Sequence, residues 1–215
     1  KTNDNITLSI TSSEAIQTPT VRISGQNVPP SMVSDNITWS ATYKMVEARD
    51  NGSVSLNIVF SDLAGNAGIP VNSTTNGSAV RFDKTAPTLL DNLTIASNNT
   101  LYTTMAKTGD NITLSITSSE AIQTPTVRIA GQNAAVTGSD NITWSATYEM
   151  TNSNSDNVSV SLNIGFSDLA GNPGDNVTST TNGSAVQFDR TTPTLSSVTI
   201  ASNNSVSTLA KTGDN

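Results

Sequence analysis

Residues Asp35–Met45 read DNITWSATYKM, and residues Asp140–Met150 read DNITWSATYEM. In both stretches an apolar or aromatic residue alternates with Thr, Ser, Lys or Glu. A period of two places the apolar set on one face of a β-strand. The pattern therefore predicts a strand whose inner face carries Trp39 in one copy and Trp144 in the other. Both indoles are expected in a core and not on a ligand-binding surface.

The same alternation recurs along the chain in short runs bounded by Gly, Asn, Asp and Pro. In the second half it predicts strands A to G at Leu93–Ala96, Ile112–Thr117, Thr126–Ala130, Ile142–Met150, Val158–Phe166, Val177–Ser179 and Ala185–Asp189. Strands with one inner face each are typical of an antiparallel β-sandwich. The expected fold class is all-β, with tandem immunoglobulin-like antiparallel sandwiches of about seven strands each. No cysteine pair accompanies the tryptophans, so an antibody-type domain is not expected.

The chain repeats itself with an offset of roughly 105 residues, a typical length for one domain. Asp4–Asn27 returns at Asp110–Asn133 with Ala130 in place of Ser24. Three domain segments follow from the phase of the repeat. Residues 1–86, the first unit, lack their own first strand; residues 87–191, the second unit, are complete; residues 192–215, the tail, carry the first strand and turn of a following repeat.

The tail has two interpretations. In the simpler one, a long covalent array is divided at this phase, and the next repeat supplies the missing strand. In the other, residues 198–201 of one chain complete the first unit of a neighbouring copy by donor-strand complementation. Neighbouring repeats, and other copies through strand 198–201, are therefore the expected partners.

Composition excludes several classes of function. The formal net charge is −7, which argues against binding to nucleic acid. No stretch has the apolar length of a membrane span, so no membrane insertion is expected. A signal peptide is expected to be absent or to lie upstream. The chain has neither Cys nor His, so a His-activated nucleophile is ruled out and no enzyme activity is expected.

Two motifs resemble a known group of proteins. FSDLAGNAG at Phe60–Gly68 and FDKTAPTL at Phe82–Leu89 are similar to segments of the immunoglobulin-like tandem repeats of large bacterial and archaeal surface proteins and adhesins. The resemblance covers essentially the whole chain. It implies an extracellular, cell-surface stalk or filament module with sandwiches placed end to end. In such proteins, ligand binding usually resides in separate terminal domains.

Acidic side chains suggest a weak calcium hypothesis. Alternating strand directions predict that one end of the second unit gathers Asp110, Asp140, Asp168 and Asp189, and that the same end of the first unit gathers Asp4, Asp35, Asp62 and Asp83. The next unit is expected to turn Glu120 and Asp156 toward that end. The candidate ligands for Ca²⁺ at the junction are Asp4, Asp62, Asp83, Asp110, Asp168, Asp189 and Glu120. The alternative is that these residues only cap turns, which SDLAGN suits well.

Thirteen Asn-x-Ser/Thr sequons are candidate glycosylation sites. They lie at Asn5, Asn36, Asn51, Asn72, Asn76, Asn92, Asn98, Asn111, Asn141, Asn157, Asn176, Asn182 and Asn203. The alternative is that DNIT and similar segments are simply turns that lead into strands.

The expected function is structural: a repeat of an extracellular stalk, adhesin or filament that projects or polymerises end to end. A glycan- or protein-binding adhesive module is the alternative. It would require exposed aromatic side chains, whereas the tryptophans and Tyr43 and Tyr148 follow the inward pattern. No cofactor is expected other than Ca²⁺ at junctions between repeats.

Overall fold

A computed structural model describes residues Lys1–Asp214, and every helix or strand assigned within that range is a β-strand. The first unit contains β1 (Asn5–Thr11), β2 (Thr20–Ile23), β3 (Gln26–Val28), β4 (Ser31–Ser34), β5 (Thr38–Lys44), β6 (Gly52–Ser53), β7 (Leu56–Val59) and β8 (Arg81–Phe82). The second unit contains β9 (Thr94–Ser97), β10 (Met105–Ala106), β11 (Asn111–Thr117), β12 (Thr126–Ile129), β13 (Gln132–Asn133), β14 (Ala135–Gly138), β15 (Thr143–Glu149), β16 (Val158–Ser159), β17 (Leu162–Gly165) and β18 (Gln187–Phe188). The predicted boundaries after residues 86 and 191 remain predictions.

The strands of the second unit form three sheets, in the orders β14-β15-β11-β9, β13-β12-β17 and β10-β18-β16. The first unit has the corresponding orders β1-β5-β4, β3-β2-β7 and β6-β8. Among the strands of residues 1–214, no sheet combines strands of the two units. All pairs are antiparallel except β10 with β18, which is parallel. The all-β class is therefore confirmed, and the architecture is that of tandem immunoglobulin-like sandwiches.

The core of the second unit lies between the β11–β15 sheet and the β12–β17 sheet. Leu114 and Ala146 from the first sheet join Val127 and Ile164 from the second in one buried cluster. These residues occupy alternate positions of their strands, as the period of two requires. The alternation in β15 also buries Trp144.

Strand C does not lead straight into D. At Ala130–Gly131, φ is +51° and +76°, and the corresponding Ser24–Gly25 turn of the first unit has +52° and +75°. Positive φ at both central residues is the signature of a tight type I′ hairpin turn. The turn sends the chain back along β12 as β13, and β14 then pairs with β15. This extra crossing differs from the predicted strand order, although the Gly in SGQN and AGQN is a signal for the turn.

Two other predicted strands differ. Strand E divides into β16 and β17. Strand F is reduced to a single bridge between Ile164 and Val177 and does not cross the sheet. These differences change which loops share an end of each sandwich.

Each unit has two ends, named here by the terminal residues of β1 and β11. The Asn111 end holds the turn before β11 and the loop before β16, while the Thr117 end holds the loops around Glu120, Asp140 and Asp168. The predicted grouping of Asp140 and Asp168 with Asp110 is therefore wrong, because β14 adds one reversal of the chain. Asp35 and Asp62 likewise lie at the Thr11 end of the first unit, away from Asp4. Asp156 lies beside Arg190, at the Asn111 end.

Asp189 returns to its predicted end, with Asp110. Because β14 adds one crossing and strand F lacks one, the chain makes the predicted number of reversals before Asp189. The backbone N–H of Asp189 accordingly donates to the carbonyl oxygen of Ala106, at the Asn111 end.

Candidate functional site

The segment that joins the two units is bound directly to the second unit. Thr88 N–H donates to Ser119 Oγ at 3.0 Å, and Ser119 N–H donates back to the Thr88 carbonyl oxygen at 2.8 Å. Leu90 N–H donates to the Thr117 carbonyl oxygen. Pro87, between them and the first unit, is buried. Few residues are therefore left between β8 and the second unit to act as a free linker.

Two hydrogen bonds cross the junction. Asn172 Nδ2 donates to the carbonyl oxygen of Asp83 at 3.1 Å, and Lys1 Nζ donates to the carbonyl oxygen of Gly171 at 3.1 Å. Both involve the SDLAGN loop of the second unit at its Thr117 end. The Asn5 end of the first unit thus contacts the Thr117 end of the second.

The SDLAGN loop is shaped by its own carboxylate. Asp168 Oδ1 accepts from Asn172 N–H, and Asp168 Oδ2 accepts from Asn172 Nδ2, both at 2.7 Å. Asp62 and Asn66 make the same pair of bonds in the first unit, at 2.7 and 2.6 Å. The expectation that this motif forms a turn is confirmed in both copies. In the second unit, the Asn of the turn also reaches across the junction.

Three carboxylates meet at this junction. One oxygen from each of Asp83, Glu120 and Asp168 lies within 4.8 Å of the other two. Asp168 is 1% exposed, and the other two are half-buried. Burial, followed by the nearby charges of Asp83 and Asp168, raises the pKa of Glu120 above its ordinary value. Hard oxygen ligands of this kind suit Ca²⁺, which takes about six to eight of them. Both oxygens of Asp168 already accept hydrogen bonds from Asn172. Calcium binding by these three carboxylates stays a prediction.

The other candidate calcium ligands lie outside this group of three carboxylates. Asp4 accepts from the amino terminus of Lys1 at 2.9 Å and lies at the junction end of the first unit. Asp62 lies at the opposite end, beside Ile16, so its predicted place at the junction is wrong. Asp110 and Asp189 lie at the Asn111 end of the second unit, away from this junction. There Asp189 accepts from Thr191 N–H in a local turn.

Asp110 is a buried turn residue. Its carboxylate accepts from Lys107 N–H at 2.9 Å, from Asn99 Nδ2 at 3.0 Å and from Lys107 Nζ at 3.1 Å. Burial raises the pKa of Asp110, but these hydrogen bonds and the Lys107 charge outweigh it. The pKa therefore lies below the ordinary value of 3.8.

The aromatic side chains provide no exposed tryptophan platform. Trp39 is 4% exposed and Trp144 is 7% exposed, which confirms the prediction that both are core residues. Tyr43 and Tyr148 are half-buried. Tyr102, in the loop between β9 and β10, is exposed.

None of the candidate glycosylation asparagines is buried. Asn36 and Asn111 are half-buried and the other candidates are exposed. Some amides are already engaged: Asn51 Nδ2 donates to Thr85, and Asn92 Nδ2 donates to Thr117. Glycosylation at these sites stays a prediction.

The first unit contains a groove of about 820 Å³. It runs beside β1, with β7 and the segment before β8 on its other walls. In the second unit, β9 occupies the corresponding place and pairs with β11. The groove is thus an open edge of the first sandwich.

Within residues 1–214, no helix has the length and apolar character needed to cross a membrane.

No protein-family model matches the sequence, and a search of curated proteins gives no match. Solved structures align with most of the chain at low similarity. The fibronectin(III)-like modules of Clostridium thermocellum CbhA are 14% identical, with a TM-score of 0.36 and coverage of 88% of this chain and 86% of that one.

The second is a chimeric titin Z1Z2-Z1Z2 tandem functionalised with a GRGDS peptide from fibronectin. It is 13% identical, with a TM-score of 0.31 and coverage of 89% and 93%. The third is Bacteroides ovatus SGBP-B of a mixed-linkage glucan utilization locus, in complex with a mixed-linkage heptasaccharide. It is 15% identical, with a TM-score of 0.24 and coverage of 86% and 43%. The fold assignment accordingly rests on the sheets of this chain itself.

Proposed function

We propose that this chain is a structural segment of an extracellular stalk, adhesin or filament, in which each sandwich is a spacer joined end to end with the next. The carrying observation is the bonded junction. Thr88 and Leu90 of the connecting segment hydrogen-bond to the second unit, and Asn172 of the second unit donates to Asp83 of the first. A connector held in this way restricts the angle between units, whereas a flexible linker would behave as a coil.

Two further features support a spacing role. The repeat reproduces the motif at the end of the second unit, FDRTTPTL, at the same phase as FDKTAPTL. A following unit would therefore meet the same kind of connection. Both tryptophans are buried, so neither supplies an exposed aromatic platform for a ligand, which suits a spacing role.

Small-angle X-ray scattering of a tandem with four units tests the proposal. The maximum dimension should grow in proportion to the number of units, and the cross-section should stay that of one sandwich. The matched control inserts a Gly-Ser segment of about ten residues after Thr85, which should shorten and broaden the distance distribution. A native tandem that scatters as a compact, folded-back particle would rule out the spacer function.

A further inference from the structure

We propose that Asn76 and Asn182, each in a turn of sequence TTNGS, are sites of spontaneous deamidation, and that the reaction at Asn182 weakens the attachment of strand β9. The two turns are Thr74–Ser78 and Thr180–Ser184, called here the TTNGS turns. The modification needs no enzyme and consumes only water. The inference concerns the chemistry of two loops and does not depend on the mechanical role proposed above.

The reaction takes place between an asparagine side chain and the glycine that follows it. The backbone nitrogen of the glycine attacks Cγ of the asparagine. A new C–N bond forms, the Cγ–Nδ2 bond breaks, and Nδ2 leaves as ammonia with the proton that the glycine nitrogen gives up. Water then opens the resulting succinimide ring at either carbonyl carbon. One opening gives aspartate, and the other gives isoaspartate, which has an extra methylene group in the main chain.

The chain has three Asn–Gly pairs, and each of them is followed by serine. They begin at Asn51, Asn76 and Asn182. Since glycine has no side chain to shield its nitrogen, all three pairs are intrinsically reactive. The identical local sequence means that the three should react at similar rates in an unfolded chain. A difference in the folded chain is therefore a consequence of structure.

The pair that begins at Asn51 is protected by its contacts. Asn51 Oδ1 accepts from Lys84 N–H at 2.9 Å, and Asn51 Nδ2 donates to Thr85 Oγ1 at 2.7 Å. Gly52 belongs to β6 and lies opposite Phe82 in the ladder with β8. The attack would require the side chain to leave both hydrogen bonds and the glycine to leave the ladder. We therefore expect slow deamidation at Asn51.

The TTNGS turns hold their asparagines in a different way. Asn182 Oδ1 accepts from Ser184 N–H, and Asn76 Oδ1 accepts from Ser78 N–H, both at 3.0 Å. A bond of this kind folds the side chain over the peptide that follows it, which keeps Cγ close to the glycine nitrogen. The same bond stabilises the negative charge that develops on Oδ1 as the nitrogen adds. The turn thus favours the attack.

The two turns also leave the reacting groups accessible. Asn76 and Asn182 are exposed, and within residues 1–214 the Nδ2 of each makes no hydrogen bond that must break before ammonia leaves. Gly77 and Gly183 lie outside the strands, and φ is +74° at both. Glycine adopts this left-handed conformation without steric cost. Water can therefore reach the ring once it has formed.

The turn of the second unit fastens strand β9. Leu93 N–H donates to Thr181 Oγ1 at 3.0 Å, and Ile95 N–H donates to Ser184 Oγ at 2.9 Å. Asn182 lies between the two hydroxyl-bearing residues. Isoaspartate at this position lengthens the main chain between them, so the two hydroxyls no longer match the spacing of the two N–H groups. Strand β9 then keeps its pairing with β11 but loses the bonds at its other edge.

Glycosylation and deamidation exclude each other at one asparagine. Nδ2 is the atom that would carry a glycan at these sequons, and it is also the atom that leaves as ammonia. The experiment therefore uses the chain made without glycosylation.

Peptide mapping by mass spectrometry of the full 215-residue chain, incubated at mildly alkaline pH, tests the proposal. We expect Asn76 and Asn182 to convert about tenfold faster than Asn51, because the turn positions the reacting atoms. Isoaspartyl methyltransferase should label the products, since isoaspartate marks a succinimide. The matched control is the same chain in urea, in which the three sites should react at similar rates. Equal rates in the folded chain, or a faster reaction at Asn51, would overturn the assignment of the sites.

Hydrogen exchange measures the effect on β9. With isoaspartate at position 182, the amides of Leu93 and Ile95 should exchange faster, by about fivefold for each hydrogen bond lost. Exchange in β15, which is paired on both sides, should stay the same. Asn182→Asp is the control, because it adds the charge without the methylene group and should keep the slow exchange. Unchanged exchange at Leu93 and Ile95 in the isoaspartate form would overturn the proposed effect on β9. The scattering test of the spacer function is independent of both results.

Discussion

Asn172 donates a hydrogen bond from Nδ2 to the carbonyl oxygen of Asp83 across 3.1 Å, and so ties the SDLAGN loop of one sandwich to the end of the sandwich before it. The same side-chain nitrogen also donates to Asp168. Asn66, its counterpart in the first unit, bonds with Asp62 in the same way. The two asparagines therefore form equivalent turns in their own units. Of the two, Asn172 also bonds across this junction.

Asn172→Ala should loosen the junction. Each hydrogen bond that it removes contributes about 1 kcal/mol, and the bond to Asp83 restrains the angle between the units. The chain has no cysteine, so spin labels attached after Thr20→Cys and Thr126→Cys can report the distance between units by pulsed electron paramagnetic resonance. The distance distribution should broaden in Asn172→Ala. Asn66→Ala, which removes the same side-chain bond of the turn, should leave it narrow, and equal broadening in both variants would show that the bond to Asp83 has no role.

Loss of either buried indole should destabilise its own sandwich. Trp144→Ala is expected to cost about 3–5 kcal/mol of unfolding free energy, as large-to-small core substitutions do, and Trp39→Ala should cost the same order. Urea denaturation followed by circular dichroism measures the loss. Tyr102→Ala, at an exposed loop position, should change stability by less than about 0.5 kcal/mol. A small effect of Trp144→Ala would contradict its assignment to the core.

The carboxylates of Asp83, Glu120 and Asp168 should repel one another at neutral pH. The raised pKa of Glu120 means that its charged form is the less favourable one in the folded chain. Stability from this group is present in acid and is lost as pH rises through the folded pKa. Glu120→Gln should therefore raise the melting temperature at pH 7 without Ca²⁺, and the gain should vanish at about pH 3.5, where the carboxyl is protonated.

Calcium gives this experiment a second arm. If Ca²⁺ binds the group formed by Asp83, Glu120 and Asp168, it should raise the melting temperature of the native chain at pH 7 and lose that effect in Glu120→Gln. Glu14→Gln is the matched control, because Glu14 occupies the same place in the first unit and belongs to no such group of three within residues 1–214. Isothermal titration calorimetry that gives no heat with the native chain would leave the carboxylates with a purely local role.

Asp110 should make the second unit sensitive to acid. Its pKa is lowered in the folded chain, so the stability that it supplies is present above its unfolded value and is lost as pH falls through the folded pKa. Asp110→Asn should cost about 1.5–3 kcal/mol at pH 7, since bonds to a charged acceptor are replaced. It should also flatten the loss of stability between about pH 4 and pH 2.

Thermal unfolding at several pH values tests this expectation. Asp4→Asn is the comparison, because Asp4 is at the same place in the first unit but is exposed and accepts from the amino terminus of Lys1. Asp4→Asn is expected to lower the free energy of unfolding by less than Asp110→Asn does. An acid profile that is the same in Asp110→Asn as in the native chain would contradict the assignment.

The alternation of residues predicted the burial of the central core side chains. Trp39, Trp144, Leu114 and Ile164 all follow a period of two, and that period depends only on the geometry of one strand. The repeat was likewise visible in the sequence as near-identical segments. Such segments are expected to adopt the same local structure. The turn in SDLAGN is another local property, since Asp and Asn bond within five residues.

The tertiary structure alone decided which loops meet. The position of a loop depends on every reversal of the chain before it, so one unrecognised strand, β14, moved Asp140 and Asp168 to the opposite end of the sandwich. The incomplete crossing of strand F then returned Asp189 to its predicted end. The meeting of Asp83, Glu120 and Asp168 depends on this sum of reversals and on the junction between units. Faces of a strand follow from neighbouring residues, whereas ends of a sandwich follow from the whole path of the chain.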